Sequence, residues 1–263
     1  MSLSKINPKN TEAWKMLIEK KEEIAGIQII DLFDSSKNRI EKFSIEFDKM
    51  FLDFSKNIIN DETFELLLKL CEDCELKKNI KSLFNGEKIN ETENRSVLHT
   101  ALRDFNLNSE IGKELLSDRQ KIEKFTNDIL SGKTRGSTNK KITDIVNVGI
   151  GGSDLGPNMV VESLKFYKTY LNCHFVSNVD GDHLQEVLKL VDPETTVFII
   201  VSKTFTTQET LTNAKKIKEF LVSRSIEDIS KHFIGVTSNI KSAVEFGLDK
   251  NNIFKMYDFG LKN

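Results

Sequence analysis

Residues 202–210 read Ser-Lys-Thr-Phe-Thr-Thr-Gln-Glu-Thr and place five hydroxyls and one lysine in nine positions, directly after the apolar run TTVFIIV. Hydroxyl donors, an ammonium group and the open N–H groups of a helix start together make an anion site, strengthened by the positive end of the helix dipole. A phosphomonoester, with a charge of about −2, is the guest such chemistry suits. Thr206 and Glu209 have capping-box spacing, which predicts a helix beginning near Thr207. The same residues also suit a plainer role, a threonine-rich cap beside a solvated lysine with Glu209 as a capping side chain.

A second stretch, VNVGIGGSDLGP at residues 146–157, carries glycine where backbone must come close to something. A dinucleotide fingerprint fails, because counting from Gly149 and Gly151 puts Asp154 where the third glycine belongs. A P-loop fails too: Gly151 and Gly156 have the spacing, but Pro157 stands where lysine would reach the phosphates. What remains is a tight strand-to-helix turn. Gly149, Gly151 and Gly152 permit positive φ and close ligand approach, Ser153 can cap the helix, and Pro157 falls in its first turns. The alternative is that these glycines only pack strand against helix.

Other reactive residues carry less. Arg95, His99 and Arg103 stand at i, i+4 and i+8 of a helix expected over 93–104, with Asn90 and Glu93 as cap and third-position acid. Such a face would meet an anionic site, a partner domain or only solvent. His174, His183 and His232 show no ligand spacing, so metal is not supported. Cys71 and Cys74 form a CxxC on a helical pattern without a second pair, and with Cys173 they make no disulfide framework. A reducing cytoplasm fits this usage.

These residues need elements to hold them. Apolar content of 38% with 18 phenylalanines supports a packed core, and the net charge of −2 argues against bulk nucleic-acid binding. The N-terminus, MSLSKINPKN, has no apolar signal core, and no run is long enough to cross a membrane. Up to about residue 140 the pattern is mainly helical, over 11–24, 61–74, 93–104 and 109–130. Phe43, Ile45, Phe47 and then Met50, Leu52, Phe54 alternate as a short hairpin. Residues 131–141, SGKTRGSTNKK, read as a linker. From 141 to 263 short apolar runs alternate with helices (ITDIVNV, CHFVSN, TTVFIIV, HFIGVTS, IFKMYD), the pattern of an open, doubly wound parallel α/β sheet flanked by helices. Ligands sit past the carboxyl ends of such strands, where Gly149–Ser153, Asn178–Asp182, Ser202–Thr207 and Thr237–Asn239 all fall.

Four motifs, VNVGIGGSDLGP, HFVSNVDGDH, FIIVSKTFTTQET and NRSVLHTALR, together resemble the phosphoglucose isomerase family across most of the chain. The resemblance implies a sugar-isomerase α/β domain after a helical N-terminal segment, no cofactor, and isomerisation of glucose 6-phosphate and fructose 6-phosphate through an enediolate. It implies that Ser202, Lys203, Thr204 and Thr207 hold the phosphate, and that Gly152 and Ser153, with Gly151 beside them, contact the sugar. It also implies a cytoplasmic homodimer. The family's Gly-Gly-Arg motif, catalytic glutamate and histidine, C-terminal lysine and second sugar-isomerase domain match nothing here, so this chain is expected to bind but not to turn over. A non-catalytic phosphosugar-binding module is the alternative.

Overall fold

The computed structural model describes residue 3 and residues 5–103, 110–167 and 169–257. The chain divides into two compact units, Met1–Thr100 and Ala101–Asn263.

In the first unit, α1 (Glu12–Glu23) is started by the Thr11 hydroxyl, which accepts from the Trp14 amide at 3.2 Å. It packs on α4 (Asp61–Asp73), which Asn60 caps by accepting from the Thr63 amide at 2.9 Å. Between them lie α2 (Ile29–Asp34), α3 (Arg39–Lys42) and the antiparallel pair β1 (Ser44–Phe47) and β2 (Met50–Asp53). Arg39 organises this region. Only 2% exposed, its guanidinium donates to the carbonyls of Ser55, Asn57 and Ile59 at 2.8–2.9 Å and lies 4.6 Å from the Phe43 ring. A buried cation is tolerable only when its donors are met in this way. The expected hairpin forms, although Ile45, Phe47, Met50 and Leu52 are all exposed. Helix α5 (Leu76–Phe84) follows a left-handed residue, Glu75, at φ +53°.

The helix expected over 93–104 does not form within its described residues; its last position, 104, lies outside them. Asn90 takes the backbone instead. Its Oδ1 accepts from the Thr92 hydroxyl and the Glu93 amide, while Asn90 and Arg95 exchange both backbone hydrogen bonds at 3.1 Å. Local side-chain bonds of this kind compete with helix. Arg95 pairs with Glu93 at 2.6 Å, and Ala101–Arg103 is a single 3-10 turn, so Arg95, His99 and Arg103 share no helix face.

The second unit carries five parallel strands in the order β4-β3-β5-β6-β7. They are β3 (Asp144–Val148), β4 (Asn172–Val176), β5 (Thr196–Val201), β6 (Phe233–Thr237) and β7 (Ile253–Lys255). Helices α6 (Glu110–Leu130), α7 (Gly152–Ser163), α8 (Gly181–Leu190), α9 (Gln208–Ser223) and α10 (Ile240–Phe246) connect or cover them. Val146, Val148, Phe198 and Ile200 share one core with Leu184 of α8, Ala214 and Ile217 of α9 and Ala243 of α10. A second core joins Val197, Ile234 and Phe254 to Phe125 and Ile129 of α6. Each fully buried Val, Leu, Ile or Phe here contributes about 1.5–3 kcal/mol.

Two consequences alter the sequence picture. Helix α6, expected with the N-terminal segment, covers the sheet, so the division falls at 100/101 rather than near 140. Residues 131–141 are not a loose linker but are fastened to the sheet's amino-terminal edge. The Ser137 amide donates to His232 Nε2 at 2.9 Å, and a Cβ on Gly136 would stand 2.1 Å from the Glu194 carbonyl. Cys71, Cys74 and Cys173 carry free thiols.

Candidate functional site

The strand order creates the site. From β3 the chain crosses to β4 on one side, and from β5 it proceeds to β6 and β7 on the other. At this reversal the two connections diverge beyond the carboxyl ends of β3 and β5, the place where open α/β sheets take ligands. The two loops that open there are the glycine loop and the Ser-Lys-Thr loop.

In the glycine loop the three glycines differ. Gly149 is steric: a Cβ would lie 2.8 Å from the Ser153 Cβ and carbonyl oxygen, so it lets β3 meet α7 closely. Gly151 is conformational. Its φ of +58° and ψ of −121° suit glycine alone, and an added Cβ would meet nothing within 4 Å. It therefore faces open space as the N-cap of α7, and Gly152 and Ser153 are the helix's first two residues. Ser153 is thus not the cap, a correction to the sequence expectation, and among the described residues no side chain caps α7.

Pro157 lies six residues into α7 and cannot donate to the Ser153 carbonyl four residues earlier. The side-chain amide of buried Asn147 donates to it instead, at 3.0 Å. An asparagine near the end of a buried strand, ten positions before a helical proline, was the available signal. Beside it, Asp154 is 5% exposed and its Oδ1 has no hydrogen-bond partner among the described residues. Burial holds its carboxyl above the ordinary aspartate value, with His183 pulling weakly the other way.

The second loop is pinned by its one apolar residue. Phe205 is 3% exposed, packs 5.9 Å from the Phe246 ring and adopts φ +53°. A left-handed non-glycine residue costs about 1–2 kcal/mol, which burial of a phenyl group at about 1.5–3 kcal/mol offsets. Around it the hydroxyls pair among themselves: Ser202 with Thr207 at 3.1 Å, Thr204 with Thr206 at 2.6 Å. Ser202 is buried, Lys203 and Thr207 are half-buried, and Thr204 is exposed. Helix α9 begins at Gln208 with Thr207 as N-cap. The expected capping box from Thr206 to Glu209 is absent, because the cap stands one residue later.

Electrostatics separate these two helices from their neighbours. Asp180 caps α8 by accepting from the Asp182 amide at 2.9 Å, and Asn239 caps α10 by accepting from Ser242 at 3.1 Å. By contrast, α7 and α9 have no side-chain cap among the described residues. In α7 the Ser153 and Asp154 amides donate to the Ile150 and Gly151 carbonyls at 3.2 and 3.0 Å, so the start of α9 is the more open of the two to another acceptor. The structure brings Ser202, Lys203, Thr204 and Thr207 onto one loop and Gly151, Gly152 and Ser153 onto the other, at adjacent strand ends.

The fold is a parallel α/β unit with a glycine loop and a Ser-Lys-Thr loop at its reversal point. Comparison with known proteins narrows the class. The sequence model of the phosphoglucose isomerase family matches residues 53–260. The chain is 50% identical over 264 aligned positions to glucose-6-phosphate isomerase of Christiangramia forsetii, an alignment covering 98% of this chain and 49% of that protein. In three dimensions it is similar to the crystal structure of a glucose-6-phosphate isomerase from Chlamydia trachomatis, with a TM-score of 0.80 and 26% identity, over 97% of this chain and 49% of that one. The chain belongs to the phosphoglucose isomerase family. It spans about half the length of the relatives it matches.

Proposed function

We propose that this chain supplies the substrate-binding half of a glucose-6-phosphate isomerase, the enzyme that interconverts glucose 6-phosphate and fructose 6-phosphate. The observation that carries the reading is the start of α9, which has no side-chain cap among the described residues and follows the Ser-Lys-Thr loop, next to the glycine-led start of α7 across the reversal of strand order. In this reading Ser202, Lys203, Thr204 and Thr207 hold the phosphate, with the dipole of α9 and the Lys203 ammonium opposing its charge. Gly151 leaves room for the sugar to approach the start of α7, where Gly152 and Ser153 meet its hydroxyls.

Isomerisation through an enediolate needs a general base and stabilisation of the developing oxyanion. The role proposed for the residues here is to bind and orient, so that the reacting carbons are presented to those groups. Calorimetric titration tests the reading: glucose 6-phosphate should bind and glucose should bind more weakly. Equal affinity for the two would remove the phosphate from the account.

The same reading places the protein in the cytoplasm as a homodimer. Free thiols at Cys71, Cys74 and Cys173 suit a reducing compartment. Leu155, Met159 and Phe166, on α7 and the turn after it, are 68%, 66% and 92% exposed and supply the apolar surface that association uses.

A further inference from the structure

We propose that Thr237, Ser238 and Asn239, at the carboxyl end of β6 and in the turn to α10, are positioning residues for the phosphate-facing loop; the role rests on the phosphosugar reading above. A backbone anion site works only if N–H groups face the ligand and carbonyl oxygens are turned away. The carbonyls of Lys203 and Thr204 are the acceptors that would otherwise repel a phosphate. The Lys203 carbonyl accepts three bonds from the neighbouring loop: from the Ser238 amide at 2.9 Å, the Ser238 hydroxyl at 2.6 Å and the Thr237 hydroxyl at 3.0 Å. The Thr204 carbonyl accepts from Asn239 Nδ2 at 3.1 Å.

The loop that does this is itself fixed. Thr237 is fully buried, and its hydroxyl oxygen accepts from the Asn239 amide at 3.1 Å. Asn239 works with both ends of its side chain, Oδ1 capping α10 through the Ser242 amide and Nδ2 holding Thr204. One strand further in, the Ser202 amide donates to the Val236 carbonyl at 3.1 Å. Two oxygens are thus drawn towards β6 immediately before the left-handed turn at Phe205. Residues on a third strand, none of them in the phosphate loop, set the polarity of the surface that loop presents.

The test is glucose 6-phosphate binding to the 263-residue chain, measured by calorimetry alongside thermal melting. Thr237→Val removes a hydroxyl at nearly constant volume. Asn239→Ser keeps an oxygen able to cap α10 and loses the donor to Thr204. Each should weaken binding about tenfold, the scale of one lost hydrogen bond to a site group, while Thr237→Ser restores wild-type affinity. Wild-type binding that is unchanged in both variants overturns the positioning role alone. Absence of binding by the unaltered chain overturns the phosphosugar reading and this one with it. Should Thr237→Val fail to fold, Asn239→Ser decides.

Discussion

At the scale of single residues, the two loops reward different chemistry. Replacing Lys203 with alanine removes the loop's cation, a loss of about 1.5–3 kcal/mol for a charge-assisted hydrogen bond. Affinity for glucose 6-phosphate should fall by that amount while affinity for glucose stays nearly constant; parallel losses would turn Lys203 away from the phosphate. Gly151 and Gly149 make a second contrast. Gly151→Ala meets open space but must hold φ +58°, a strain of about 1–3 kcal/mol. Gly149→Ala meets the Ser153 backbone at 2.8 Å and must push α7 off its strand. In amide spectra, Gly151→Ala should therefore disturb only its own turn, and Gly149→Ala the whole first half of α7. These two roles were not separable in the sequence, where both glycines simply stand in one short motif. The Asn147 bond to Ser153 was equally hidden, since it joins a strand to a helix carbonyl that only Pro157 leaves open.

At the scale of elements, the strands were legible because buried parallel strands are short apolar runs, and TTVFIIV, HFIGVTS and CHFVSN all became strands. The helix over 93–104 was not, because its apolar period was outweighed by the Asn90 turn, whose bonds close within five residues. The stretch 131–141 reads as a linker by composition, since its anchor, His232, lies far away in the sequence. That anchor titrates. Ser137 donates to Nε2, so the proton sits on Nδ1, which donates to the Thr196 carbonyl at 2.8 Å. Burial lowers the His232 pKa below its ordinary 6.5, although the Thr196 bond and Asp228 act in the opposite sense. The unfolded chain thus takes up this proton first, so stability is full above about pH 6.5 and declines as pH falls below it. The stability gap between the wild type and His232→Asn should narrow on acidification through that range. A gap independent of pH would mean that His232 has the same pKa in the folded and unfolded states.

At the scale of the molecule, the ligand site proposed at the ends of β3 and β5 and the association proposed for α7 can be tested separately. If the exposed face of α7 mediates self-association, sedimentation at rising concentration should show a monomer–dimer equilibrium that Leu155→Ser with Met159→Ser shifts to monomer. Unchanged association in that variant would place the contact elsewhere. The central claim is the location and chemistry of the binding site, and it is tested most directly by amide spectra of the chain titrated with glucose 6-phosphate. Shifts should concentrate at residues 149–154 and 202–210, saturate together, and be much smaller with glucose. Shifts centred instead on Lys133, Arg135 and Lys231, the basic recess at the opposite edge of the sheet, or no saturable shifts at all, would contradict it.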